Sequence, residues 1–449
     1  MIRFDVPRLE HWIWYLFVAT VAWQTRLILW QADMQFIEWR SASLYASDVL
    51  IAALFILAIT RAKGWFVRRM DRIDWLLGLI VAASVLSLVH AGQLTVGIYQ
   101  LLRLMQGMLF YLYVRHWAWK HFDADHTAVA FVAGALLQAT LGITQYVLQH
   151  DVGLRWLGES LLQTDMRGVA VFYDTHYVKV LRAYGTFPHP NVLAAFLMMA
   201  LWVVGWLWMR HGGNIINQKS NIKNLELVWP ATTALLLWGL YLTFSRTVIA
   251  VWLAASIAIA LVLVIRRISG RWPNIKTIRR RALPMAITVF AVSACFAVFM
   301  WPTVVARMTI SSSDEAVTLR IKYNDDAVAS GVGQLWRINW TGVGIGNFTT
   351  WLARYDTSMP SFMYQPAHNI YLMIYSETGF ISLLLWFAWL ALIIRTALLA
   401  HSSQPVVRVG VLVLLSAVLM IGLLDHFYWT LQQGRILWWS ALALAAGRV

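Results

Sequence analysis

The stretch PAHNIYLMIYSETGFISLLLWFAWLALII, Pro366 to Ile394, decides the fold. Past His368 and Asn369 it runs on apolar and aromatic side chains for long enough to cross a hydrocarbon core of roughly 30 Å at about 1.5 Å rise per residue. Comparable runs recur near 11–30, 44–61, 74–91, 95–114, 127–148, 191–209, 226–244, 247–265, 283–301, 368–394, 406–424 and 432–447. Of the 449 residues 60% are hydrophobic and only 13% charged, where a soluble domain needs about a quarter charged to cover its surface. Backbone in lipid must satisfy its own hydrogen bonds, and the period-two alternation of a membrane barrel is missing. The chain therefore reads as all-α, a polytopic membrane protein of about twelve transmembrane helices.

The run at 11–30 contains Arg26 and lacks a clear cleavage site, so it reads as a retained span rather than a signal peptide. The single cysteine, Cys295, rules out a disulfide framework within the chain. Alternate connections differ in charge. RAKGWFVRRMDR (61–72), RHWAWK (115–120), RHGGNIINQKSNIK (210–223) and RRISGRWPNIKTIRRR (266–281) are basic, which puts them in the cytoplasm. In the long segments 149–190 and 302–366 acidic and basic residues cancel, which puts them outside. The formal charge of +15 is then topology and contact with anionic membrane lipids, not nucleic acid. With no repeat and no low-complexity linker, residues 1–449 read as one membrane domain carrying two external, periplasmic-side insertions, 149–190 and 302–366. Within the second, TLRIKYNDDAVAS reads as a short helix, and the segment is expected to fold over the outer mouth.

This topology puts His368 and Asn369 at the outer end of the tenth span. Taken alone, His368 reads most simply as a helix cap or an interfacial side chain. TFSRTVI (243–249) makes a tight external hairpin that wedges Arg246 between two apolar runs, where an arginine is costly unless paired. It either snorkels to lipid phosphates or meets an anion. In LRAYGTFPHPNVLAAF (181–196) Asn191 reads as the N-cap of the sixth span, while Arg182 has no structural explanation. Arg320 offers a third cation or a solvated face. Glu377 lies about two turns from His368 on nearly the opposite face and reads as a buried packing partner. The cluster Asp425, His426 and Arg435 in DHFYWTLQQGR reads as interfacial anchoring. GVGIG has phosphate-loop glycines without a following GK[ST]. No paired carboxylates with metal spacing stand outside, so neither a metal nor another cofactor is expected.

RAYGTFPHPN, the SRT hairpin, GVGIGNF, AHNIYLMIYSETGF with Gly379, and the ending DHFYWTLQQGRILWW together resemble the O-antigen ligase and O-antigen polymerase family of bacterial inner-membrane glycosyltransferases. Ser382 and the Asn339-Trp340-Thr341 segment depart from residues usual in that family. The resemblance implies transfer of a glycan from an undecaprenyl diphosphate carrier to an acceptor hydroxyl on a glycan, lipid or protein, with inversion at the anomeric carbon and without metal. It implies His368 as the catalytic base, Arg182, Arg246 and Arg320 on the diphosphate, and Asn369, Glu377, Gly379, His189 and Asn191 in support. It also implies the inner membrane, with the site facing outside. Elementary chemistry agrees: a leaving diphosphate gathers charge that guanidiniums stabilise, and a neutral imidazole takes a proton near neutral pH. A ligase, a polymerase and a protein-glycosylating enzyme share this donor chemistry. A secondary transporter is the alternative of another class, although here the polar groups gather at the outer mouth rather than at the midplane.

Overall fold

The structure, a computed structural model, describes residues 6–34, 36–61, 70–211, 228–268, 275–308, 315–331, 338–400 and 405–447. Much of the basic connections 61–72, 210–223 and 266–281 lies outside the described residues. Helices dominate, with two short antiparallel hairpins, Arg26–Gln31 against Ser41–Tyr45 and Val171–Tyr173 against Lys179–Leu181. Each of the twelve apolar runs overlaps a helix. The first is cut short: helix Val6–Thr20 ends before Arg26, which opens the hairpin strand and pairs with Glu38 at 2.5 Å, so 11–30 is not one span.

Length and apolarity together pick out some of these helices as candidate crossings. Among the described residues four helices qualify alone, Arg72–His90, Ala124–Leu148, Pro190–His211 and Ile370–Leu399. A fifth is added if Leu283–Phe299 and Trp301–Arg307, bent by 86°, form one span. Val228–Leu242, Arg246–Val262 and Arg408–Leu424 are apolar but shorter. Helix Val228–Leu242 has 15 residues and reaches only about 22 Å. Ala46–Arg61 and Leu94–Tyr113 bury charges in their interiors: Arg103 pairs with Asp48 at 2.6 Å, and Gln106 and Gln432 share the same carboxylate oxygen. A buried charge is tolerable only when paired in this way.

The chain divides into two compact units, residues 1–25, 122–310 and 404–417, and residues 26–121, 311–403 and 418–449. In the first unit, Gly134 lets helix Ala124–Leu148 approach helix Val6–Thr20, since a Cβ there would stand 2.2 Å from the Ala19 carbonyl. Two buried glutamines of Ala124–Leu148 hold the RAYGT segment: Gln145 accepts from the Tyr184 and Gly185 amides, and Gln138 from Thr186, at 2.8–3.1 Å. A loop that cannot reach water is satisfied by side chains instead.

In the second unit, helix Ile370–Leu399 is broken at Gly379, whose φ of 83° and ψ of 175° belong to a region open essentially to glycine alone. The break exposes backbone groups, and the glycine turn fills it. Val343 and Gly344 donate to the Ser376 and Glu377 carbonyls at 2.8 and 3.0 Å, and the Phe380 amide donates to Asn339 at 3.0 Å. A Cβ on Gly342 would stand 2.2 Å from the Glu377 carbonyl oxygen, and one on Gly379 2.3 Å from that of Trp340. The glycines of TGVGIGNF therefore serve close packing inside the protein, Gly342 against backbone and Gly346 against the Gln100 side chain.

Candidate functional site

Asn369 is the N-cap of Ile370–Leu399. Its backbone is extended, and its Oδ1 accepts from the Tyr371 and Leu372 amides at 2.9 and 3.1 Å. The first orphan donors of the helix are thus met without His368. The imidazole of His368 instead faces the two-residue connection between helices Pro405–Leu424 and Phe427–Thr430, which is Asp425 and His426.

These three side chains form a compact cluster. His368 Nδ1 is buried, makes no hydrogen bond, and lies 3.7 Å from Asp425 Oδ1. That is an ion-pair distance and beyond a hydrogen bond. The His368 and His426 rings meet edge to face at 5.0 Å. Asp425 Oδ1 accepts from the His426 amide, and His426 Nδ1 meets the Thr430 hydroxyl, each at 2.8 Å. Trp39 closes one side, its ring edge-on to His426, and its Nε1 donates to the Tyr364 carbonyl. Asp425 and His426 are buried, whereas the His368 side chain keeps 16% exposure.

Burial pushes the Asp425 carboxyl up, but contact with His368, then His426 and Arg320, holds it well below the usual carboxylate range. Burial and the charges of His368 and Arg320 push His426 down to about 3 against the pull of Asp425, so its ring is neutral. A ring nitrogen from each histidine and an Asp425 oxygen all lie within 4.8 Å of one another. An imidazole that can gain a proton beside a fixed carboxylate is a base whose charged form is stabilised.

Arg320 stands in helix Glu315–Gly331, which contains the helix expected from TLRIKYNDDAVAS, and it acts electrostatically on both Asp425 and His426. Glu377 is buried on the other side of its helix turn. Its carboxylate accepts from Trp429 Nε1 at 2.7 Å and from the Phe348 amide at 3.4 Å. It so ties the glycine turn to the short helix that follows His426.

Arg182, Arg246, His189 and Asn191 belong to the first unit. Arg182 is buried, with Nε donating to the Thr243 carbonyl at 2.6 Å and Nη2 to Asn191 Oδ1 at 2.9 Å. It grips the turn that leads into helix Arg246–Ile268, which gives it the structural role that sequence alone does not supply. Arg246 opens that helix, half-buried, with Nη1 3.5 Å from the Arg307 carbonyl. The expected cap moves by two residues. Pro190 takes the first helical position, where its missing N–H is no loss, and His189 Nδ1 accepts from the Asn191 amide at 3.2 Å. Asn191 therefore turns its side chain to Arg182 instead of capping.

Asp425 and His426 are the site residues that motif reading passes over. They look like interfacial anchors in DHFYW, and only packing brings them to a histidine far back in the chain.

Residues 231–387 match a family model described as O-antigen ligase. The matched stretch contains Arg246, Arg320, His368, Asn369, Glu377 and Gly379 and stops short of Asp425 and His426. No curated protein matches the chain.

Proposed function

We propose that this multi-pass membrane protein, whose residues 231–387 match the O-antigen ligase family model, transfers a glycan from undecaprenyl diphosphate to an acceptor hydroxyl, with inversion and without metal, on the outer side of the bacterial inner membrane. In this reading His368 Nε2 takes the acceptor's proton as the acceptor oxygen forms its bond to the anomeric carbon. The bond to the diphosphate oxygen breaks from the opposite face, and the diphosphate leaves with the electron pair. A single displacement of this kind inverts the centre. Asp425, facing Nδ1, steadies the imidazolium as it forms. Arg246 and Arg320 are assigned to the diphosphate, whose growing charge planar guanidiniums meet with paired hydrogen bonds, and Arg182 to its support through the turn that it holds ahead of Arg246.

The observation that carries the reading is the His368–Asp425 pair at the N-terminus of a helix capped by the neighbouring residue. A histidine relieved of capping and set beside a buried carboxylate has the surroundings of a base. The test separates binding from turnover. His368→Ala and His368→Gln should both fold, bind the lipid-diphosphate donor as the wild type does, and lose transfer by about 10²–10⁴. A Gln variant with full turnover would remove His368 from the chemistry.

A further inference from the structure

Divalent ions of the zinc class take imidazole nitrogen and carboxylate oxygen at about 2.0–2.1 Å in tetrahedral sites. Two ligands on such an ion stand roughly 3.3 Å apart. The 3.7 Å between His368 Nδ1 and Asp425 Oδ1 is too long for a hydrogen bond and close to that spacing. One ligand atom from each of the three residues falls within 4.8 Å of the others. The buried Nδ1 of His368 has no hydrogen-bond partner, and the Thr430 hydroxyl orients the His426 ring as the outer partners of metal-binding histidines do.

We propose that His368, Asp425 and His426 bind one divalent ion of the zinc class, and that this ion holds the transferase inactive. The binding stands on geometry alone, whereas the inhibition rests on the function proposed above. A neutral imidazole has one N–H. With Nδ1 bound to the ion, that proton sits on Nε2, the nitrogen that must accept the acceptor's proton. The ion therefore disables the base without covering it. Two histidines and one carboxylate leave a fourth position for water, so the ion is exchangeable and chelation restores the enzyme.

The experiment uses the purified full chain in detergent, stripped with chelator and titrated with ZnCl2 by calorimetry, with bound zinc counted by elemental analysis. The wild type should bind one Zn2+ per chain. His368→Gln and His426→Gln, two variants that need not share a folding defect, should each weaken it at least tenfold. Replacing the exposed His150 and His176 together should leave it unchanged. Co2+ at the same site should give the visible absorption of a four-coordinate ion, which a non-specific surface ion does not. In parallel, one equivalent of Zn2+ should cut glycan transfer at least tenfold, and EDTA should restore it. Zinc bound equally by wild type and both site variants overturns the site. Full transfer by the zinc-loaded protein overturns the inhibition. A chain that binds zinc as described but transfers no glycan with or without chelator sinks the transferase reading and leaves the metal site standing.

Discussion

At the scale of the residue, the cap is what separates His368 from its neighbour. An asparagine whose side chain takes two amides of the first turn leaves the preceding histidine free for another task, and a buried carboxylate gives that task a direction. Asp425→Asn keeps the shape but removes the charge that steadies an imidazolium. It should lower turnover with little change in donor affinity, the split expected of a group that acts through the base. Equal losses in donor binding and turnover would make Asp425 a folding residue. Arg246 poses a parallel question. Arg246→Lys keeps one positive charge and loses the planar fork, so a diphosphate contact predicts normal expression with transfer reduced at least tenfold. Near-normal transfer would return Arg246 to snorkelling at the membrane surface. His368, Asn369 and Arg246 could be singled out in the sequence because each sits at the edge of an apolar run. Asp425 and His426 sit at such an edge too, but the contact that gives them meaning spans a distance that no local pattern records.

At the scale of the element, apolar runs announced the helices and said little about how they are interrupted. Glycine in a membrane run reads as ordinary packing, so the break at Gly379 became legible only with the turn that fills it. Gly379→Ala faces both a backbone region closed to other residues and a carbonyl 2.3 Å from its new Cβ. It should cost roughly 2–4 kcal/mol and show as a lowered melting temperature and poor yield. Gly410→Ala, in an open stretch of helix, should be neutral or stabilise by up to about 1 kcal/mol. Equal behaviour of the two variants would dismiss the role given to the break at Gly379 and the turn that fills it. A second element is pinned by charge. Asp71 caps helix Arg72–Ser87 through the Ile73 and Asp74 amides and pairs with Arg115 at 2.7 Å. Burial raises the Asp71 carboxyl, but the Arg115 bond and charge and the amides lower it below its ordinary 3.8. The folded pKa thus lies under the unfolded one. The stabilisation is complete above 3.8 and lost as pH falls through the lowered folded value. Asp71→Asn should remove the acid-side decline in unfolding free energy that this carboxylate causes, at a cost near 1 kcal/mol at neutral pH. An unchanged acid limb in the variant would assign that decline to other carboxylates.

At the scale of the whole molecule, the chemistry proposed for His368 requires that it and the proposed lipid-linked donor share one side of the membrane, so orientation is part of that proposal. The positive-inside rule turns the charge pattern into that orientation. It puts 115–120 in the cytoplasm and 149–190 outside. Both segments offer probes among the described residues: Lys120 is exposed, and Tyr177, in the turn between strands Val171–Tyr173 and Lys179–Leu181, is 87% exposed. Cys295 is the single native cysteine and is exposed, so it must first be replaced by alanine. On that background, Tyr177→Cys should react with a membrane-impermeant thiol reagent in spheroplasts, where the outer membrane no longer bars the reagent. Lys120→Cys should react only after the inner membrane is permeabilised. The comparison is internal, because both positions are exposed. Labelling of Lys120→Cys in intact spheroplasts, with Tyr177→Cys silent, would invert the protein. Inversion would put His368 on the cytoplasmic side, and the proposed transfer on the outer side would fall with the topology.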